Sequence, residues 1–451
     1  MGIFLILMIM GVPIGFSLAI SALATTMITG AFEPTAIVHR MIGNASSYTL
    51  LAIPFFILAA KLMNTGGITR RIFRACSALI GWIPGGLGHA NVLASIVFSG
   101  MSGSAVADAG GLGQIEVDAM IDEGFDPDFS AAVTCASATI GPIIPPSIPM
   151  VVYGMMTEVP VGILFVAGIV PGLLLALATS LLVFFIAKKR KYPTHKFNGK
   201  ELLIATKEAF LSLMTPVIII GGIWTGIFSP TEAACIAVVY AFFLSVILYK
   251  GMTLKEIYEA LKQSVADGAG ILNIICGAAA FSWLVTMMGM TDALAHALTS
   301  LTTNKFVMLF ILNIAFLVIG MFMEALAVMT ITVPFLIPLM GSFGIDPVHL
   351  GVVLVLNLMI GLCTPPVGTS LFICAKTAKI RIEEMYRAVL PFLVPLLVVL
   401  FMITYIPGIV TRLPGLSGET FAIQLKLPAE VRLPAVLRFT RPADEKLLEI
   451  K

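Results

Sequence analysis

The chain has 451 residues, 59% hydrophobic and 12% charged, with a mean hydropathy of +1.03 and a net charge of +2. Soluble domains carry about 25% charge, so the composition places this chain in a lipid bilayer as a polytopic protein. It excludes a nucleic-acid binder, and without a GxxxxGK[ST] pattern the chain does not bind ATP through a P-loop.

In chain order, residues 2–29 and 48–63 read as spans, the first too long and too uncharged at its start for a signal peptide. Residues 69–82 (TRRIFRACSALIGW) read as an amphipathic surface helix. Residues 85–124 offer two arms too short or too acidic to span, joined by SGMSGS (99–104), which predicts a re-entrant hairpin with its tip there. Residues 127–157 are a span broken at 142–149 by the prolines of GPIIPPS, and 160–187 is a span. The linker 188–200 holds six basic residues, and 201–228 begins amphipathic and ends as a span. Then follow spans 231–250 and 268–288, a hairpin 305–343 with its tip at Gly320 to Glu324, a broken span 347–377 and a last span 384–411. The expected count is nine full spans and two hairpins.

The second break, CTPPVGTS (363–370), is a copy of the first at an offset of 220. Between 100–146 and 320–366, 13 of 47 positions are identical, where chance in so biased a composition gives roughly four. Gly100-Met101 matches Gly320-Met321, Gly124-x-Asp126-Pro127 matches Gly344-x-Asp346-Pro347, and Pro145-Pro146 matches Pro365-Pro366. Repeats with interrupted helices at corresponding places mark secondary transporters. With the N-terminus inside, the cytoplasmic side receives Arg70, Arg71, Arg74, the 188–200 linker, Lys250, Lys255, Lys376, Lys379 and Arg381. The second copy then starts outside, so the repeats are inverted. The fold class is therefore all-α and polytopic, two inverted repeats each with a re-entrant hairpin and a broken helix.

This divides the chain into scaffold helices 1–84, a hairpin and broken helix 85–157, scaffold and linking helices 158–230, opening helices of the second repeat 231–304, a second hairpin and broken helix 305–377, a last span 378–412 and a polar tail 413–451. The six cysteines show no CxxC and the five histidines no metal-ligand spacing. Ser102 and Asp108 have no histidine near the hairpin tip, so the chain is not expected to be an intramembrane hydrolase or any other enzyme.

A broken helix presents an amino end that suits a carboxylate and a carboxyl end whose free carbonyls suit a hard cation such as Na+. SGMSGS and TPPVGTS add hydroxyls, and glycines for close backbone approach. Residues 85–150 and 306–375 contain no Lys or Arg, so an anionic substrate there meets no fixed cation and needs cation coupling. A cationic substrate or a proton would turn first to Glu324 and Asp108. Asn357 and Ser137 occupy matching places before the breaks and are read as lining the site. Glu116, Asp118, Asp122, Glu123, Asp126 and Asp128 are read as a solvated face towards the cytoplasm, and Lys61 and Trp82 as interfacial anchors.

SGMSGSAVADAGGLG, ATIGPIIPPSIPMVVYG, GMFMEALAVMTITVPFLIPL and IGLCTPPVGTSLFI, in this order, resemble the large membrane subunit of tripartite ATP-independent periplasmic (TRAP) transporters over about residues 1–412. The resemblance implies an elevator-type fold and a sodium-driven importer of an organic acid, such as a C4-dicarboxylate, sugar acid or 2-oxo acid, in a bacterial inner membrane. Its partners would be a small membrane subunit, expected as a separate chain, and a periplasmic substrate-binding protein. It needs no cofactor beyond Na+ as coupling ion. Carried onto this sequence, sodium binding falls on Ser102, Ser104, Gly141, Pro145, Gly320, Thr364 and Gly368. The substrate site is expected at Ser99, Gly103, Ser104, Asp108, Glu324, Asn357 and Thr369. The alternative is a self-sufficient Na+- or H+-coupled dicarboxylate symporter or antiporter that works without a binding protein.

Overall fold

A computed structural model describes residues 2–415 except Ala31 and His195. The polar tail from residue 416 on lies outside the described residues. Those described build an all-helical protein, in which eight helices are long and apolar enough to cross a membrane. The eight include both arms of the second hairpin, Lys305–Phe322 and Ala325–Phe343. The other six match expected spans, and the remaining three of the expected nine, 2–29, 127–157 and 347–377, are each interrupted.

The first run is one of them. It splits into Gly2–Ile9 and Ile14–Thr29, since Gly11 turns through φ +80° and Pro13 starts the second helix. Two helices went unread in the sequence, Pro34–Ala45 and Met290–Leu301. The expected span 268–288 is the end of a 34-residue helix, Leu254–Met287. It starts earlier because Thr253 and Glu256 form a capping box, each side chain accepting the other's backbone N–H. The amphipathic helix is Ile68–Ile80, its buried side holding Ile68, Ile72, Phe73 and Cys76.

The first hairpin runs up Gly86–Ser102, turns at Gly103 and Ser104, and returns through Ala105–Ala107, a π turn Asp108–Leu112 and Gly113–Asp122. The turn is tip 1. The first broken helix runs Pro127–Ser137, tightens to a 3-10 turn Ala138–Ile140, leaves helical geometry from Gly141 to Ser147 (break 1) and resumes at Ile148–Thr157. The second copy repeats the plan. Its hairpin turns at Met323 and Glu324 (tip 2), and its broken helix runs Pro347–Leu362, break 2, then Thr369–Thr377. The bonds Pro145–Pro146 and Pro365–Pro366 are both cis.

The repeated Gly-x-Asp-Pro motif starts each broken helix. Asp346 Oδ1 accepts the N–H groups of Val348 (2.7 Å) and His349 (3.1 Å), with Pro347 in the first turn where no donor is missed. Asp126 instead accepts the Tyr192 hydroxyl at 2.7 Å and pairs with Arg190 at 2.8 Å, tying the broken helix to the end of Val161–Arg190.

The broken helices lie at the centre. Every residue from Val348 to Leu362 is buried, as a helix apolar on all sides requires. A lone asparagine on each hairpin's first arm anchors each broken helix. Asn91 donates to Thr134 Oγ1 and accepts from Ser137 Oγ, both at 2.7 Å. Asn357 donates to Asn313 Oδ1 at 2.8 Å, and Asn313 to Thr404 Oγ1 at 3.0 Å. The halves interlock where the buried Tyr153 ring lies on Gly351 and its hydroxyl donates to Pro347 O at 2.7 Å. Helices 14–29, 34–45, 52–65, 230–242 and 254–287 pack together beside this core.

A Cβ on Gly361 would lie 2.7 to 2.9 Å from the Gly320 backbone, whereas one on Gly341 meets nothing within 4 Å. Gly361→Ala should therefore cost about 1–3 kcal/mol by forcing the hairpin off the broken helix, while Gly341→Ala should be neutral or stabilising. Thermal unfolding of the two variants in detergent, each against the wild type, checks this; equal midpoints would refute the close contact.

Candidate functional site

Between the two tips, break 1 and the helices beside them lies a cavity of about 530 Å3. Tip 1 contributes Gly103 and Ser104, break 1 Pro142 and the helix after it Ile148, and tip 2 Glu324 with Ala325 at the start of the next helix. The far wall is formed by Pro13 to Gly15 and by one face of Leu254–Met287 with Asp267, Gly270, Ile271, Asn273 and Ile274.

Tip 1 is held by backbone. Gly103 adopts φ +61°, and a Cβ there would lie 2.7 Å from Pro146 O. Only glycine lets the turn come this close. Gly103 O in turn accepts the Ile148 N–H at 3.2 Å, so the tip satisfies a donor that the break would otherwise leave open. Break 1 also stabilises itself, since Ser147 Oγ accepts from Met150 N at 3.2 Å and donates to Pro142 O.

The expected site residues fall into three groups. Gly103, Ser104 and Glu324 line the cavity. Ser104 Oγ also caps the short helix after it by accepting Ala107 N at 3.4 Å. Ser102, Asp108, Gly141 and Pro145 are buried. Ser102 Oγ has no hydrogen-bond partner, the Asp108 carboxyl has only the Ser95 hydroxyl near it, and a Cβ on Gly141 would sit 3.4 Å from Asp108 Oδ2. The rest do not line the cavity. Ser99 is fully buried with its hydroxyl on Ser95 O. Asn357 is fully buried, its Nδ2 donating to Asn313 while its Oδ1 has no partner, and Ser137, also read as lining the site, donates to Asn91 Oδ1. Gly320 packs on Gly361. Thr364 Oγ1 donates to Ile360 O at 2.7 Å, Gly368 N donates to Thr364 O at 3.3 Å, and Thr369 is exposed away from the cavity.

One expectation is corrected. Glu116 belongs to no solvated face: it is 1% exposed, and its Oε1 has no partner. It shares the buried side of its helix with Gly113, Val117 and Met120, while Asp118 and Asp122 are exposed on the other side. Lys61, read as an interfacial anchor, has its Nζ 2.7 Å from Asp267 Oδ2, a carboxylate of the cavity wall. The sequence reading also passed over Asn91 and Asn313, each a lone amide in an apolar arm, and Ser370, a buried hydroxyl without a partner beside break 2. Their signal was the isolated polar residue itself, which in an apolar helix needs a partner.

The fold resembles the crystal structure of the Alcanivorax borkumensis YdaH transporter, with a TM-score of 0.63 over 83% of this chain and 88% of that one at 16% identity. In sequence the chain is 44% identical to the sialic acid TRAP transporter large permease protein SiaM of Vibrio cholerae, over 91% of this chain and 96% of the relative. It is 38% identical to the C4-dicarboxylate TRAP transporter large permease protein DctM of Pseudomonas aeruginosa, over 89% and 94% respectively. Residues 1–409 match the family model for the DctM component of tripartite ATP-independent periplasmic transporters. With its apolar helices and this match along almost the whole membrane part, the chain belongs to the DctM family of TRAP large permease proteins and is a multi-pass protein of the bacterial inner membrane.

Proposed function

We propose that the chain is the permease subunit of a sodium-coupled secondary transporter that imports an organic acid. A periplasmic binding protein delivers the acid, and a small membrane subunit completes the complex. The observation that carries sodium coupling is the buried carboxyl of Asp108, against Gly141 and near the buried tip residue Ser102 in the sequence, with no cationic partner. To stay ionised in such a place a carboxylate needs a positive charge, and residues 85–150 hold no Lys or Arg to supply one. A hydroxyl, a carboxylate and the carbonyls of a broken helix are the hard oxygen donors that a small cation takes. Ser102, Ser104, Asp108, Gly141 and the break up to Pro145 would hold this ion. Gly320, Thr364 and Gly368 are the corresponding region of the second half, where the unpartnered Ser370 hydroxyl adds a further oxygen.

The substrate occupies the cavity between the tips, its carboxylate balanced by bound sodium. The named relatives handle sialic acid and C4-dicarboxylates, and another, from Oleidesulfovibrio alaskensis, isethionate; all are anions, and the class proposed here is an organic anion of that size. The two hairpins and broken helices, 85–157 and 305–377, are re-entrant modules of inverted repeats that move as one body past the scaffold helices, carrying the site across the membrane as an elevator.

In proteoliposomes holding the chain and its small subunit, labelled N-acetylneuraminate, succinate or isethionate should enter only with the binding protein and an inward sodium gradient. Ser102→Ala and Asp108→Asn should each raise the half-saturating sodium concentration about tenfold or more, while Ser342→Ala, at an exposed site, leaves it unchanged. Sodium-independent uptake would sink the coupling, and uptake without the binding protein would favour a lone symporter. Movement of the site has its own test. With the six native cysteines replaced, Ser104→Cys and Glu324→Cys should react with an impermeant thiol reagent at rates that sodium and substrate change, while Asn357→Cys stays unreactive. Rates indifferent to both ligands would argue against alternating access at the tips.

A further inference from the structure

The cavity wall opposite the hairpin tips carries an ion pair that the proposed site does not use. Lys61 lies on Ala52–Thr65 and Asp267 on Leu254–Met287, and Nζ to Oδ2 is 2.7 Å. Gln263, one turn before Asp267, accepts from the same ammonium at 3.4 Å. Asp267 ends the charged first half of its helix, just before the apolar stretch 268–288, and it lines the cavity with Glu324 and Ser104. The side chains are 25% and 56% exposed, Lys61 the more covered of the two. A charged pair at the wall of a cavity between membrane helices is a functional candidate.

The charges of the cavity make the work specific. Its lining contains two acids, Asp267 and Glu324, and no Lys or Arg. Both hairpin-and-break modules are equally free of bases from 85 to 150 and from 306 to 375. An organic anion entering such a space would be repelled by both carboxylates unless one of them is neutralised. Lys61 neutralises Asp267 from behind, and its flexible four-carbon stem lets the ammonium turn from one carboxylate to another.

Resting on the reading of the cavity as an organic-anion site, we propose that Lys61 is a substrate-recognising residue contributed by the scaffold. Its ammonium is shared between Asp267 and a carboxylate or sulfonate of the substrate while that substrate occupies the cavity. Asp267 is the positioning residue that holds Lys61 at the wall and competes with the substrate for it. Sodium sits behind the tips and Lys61 sits opposite them, so the two sources of positive charge act from different sides and are separable by mutation.

The test is uptake by the reconstituted complex of chain, small subunit and binding protein, using whichever of labelled N-acetylneuraminate, succinate and isethionate the wild type carries. Lys61→Met should raise KM for that anion about tenfold or more, the loss of one charge-assisted contact, with the half-saturating sodium concentration unchanged. Lys61→Arg should recover most of the affinity. Asp267→Asn should leave KM unchanged or lower it, because the competing carboxylate is gone. The double variant Lys61→Met/Asp267→Asn leaves no unpaired acid to disturb folding, and it should keep the raised KM of Lys61→Met. A double variant with wild-type KM would show the pair to be merely structural and overturn the proposal. So would a Lys61→Met variant that loses turnover alone. If the wild type carries none of the three anions, the anion site itself fails and the role of Lys61 fails with it, an outcome distinct from normal uptake that ignores Lys61.

Discussion

A helix interrupted inside a membrane protein leaves backbone donors and acceptors that lipid cannot satisfy. In this chain the interruption is repaired by another element. Tip 1 brings Gly103 O to the Ile148 N–H at 3.2 Å, and the approach is possible only because Gly103 carries no Cβ and turns through a positive φ. The tip and the break are therefore one structural unit made of two segments about 45 residues apart, and the cavity lies where that unit ends. Asp108 and Gly141 lie side by side within it.

Around this unit the helices act as a frame. Gly351 receives the Tyr153 ring, Gly361 meets Gly320, and Gly15 meets Gly277 and Asn273, each contact closer than any side chain would permit. The last two bring backbone against backbone, the kind of approach that replaces the hydrophobic effect between membrane helices, since lipid is as apolar as leucine. The buried amide anchors at Asn91 and Asn313 add direction, fixing which turn of the broken helix faces which hairpin arm.

Much of this was legible because proline, glycine and the repeat at offset 220 are local signals. The breaks read at 142–149 and 363–370, the tip read within 99–104 and the amphipathic helix read at 69–82 all follow from residue chemistry that needs no tertiary partner. The failures have a different cause. The run 2–29 was read as one span because its hydropathy outweighed Gly11 and Pro13, which split it. Pro34–Ala45 mixes polar and apolar residues as a loop would, and only packing against Leu254–Met287 makes it a helix in place. Glu116 was read from its acidic neighbours, although its spacing from Gly113, Val117 and Met120 puts it on the buried side. Lys61 and Asp267 are 206 positions apart, and no pattern along the chain joins them.

The repeat also shows what duplication did not preserve. The copies agree in the residues that shape backbone: the paired prolines, the Gly-x-Asp-Pro helix starts, and Gly141 with Gly361. They differ in the residues that carry chemistry. Ser104 stands opposite Glu324, Asp108 opposite Val328, and Ser137 opposite Asn357. The buried Asp108 carboxyl thus has only a valine as its counterpart, while tip 2 presents an acid to the cavity where tip 1 presents a hydroxyl. Two equal sites would give a symmetric cavity with no preference for where a cation or an anion lies. This asymmetry puts one carboxyl in the buried region of the first tip and another at the second, facing the cavity.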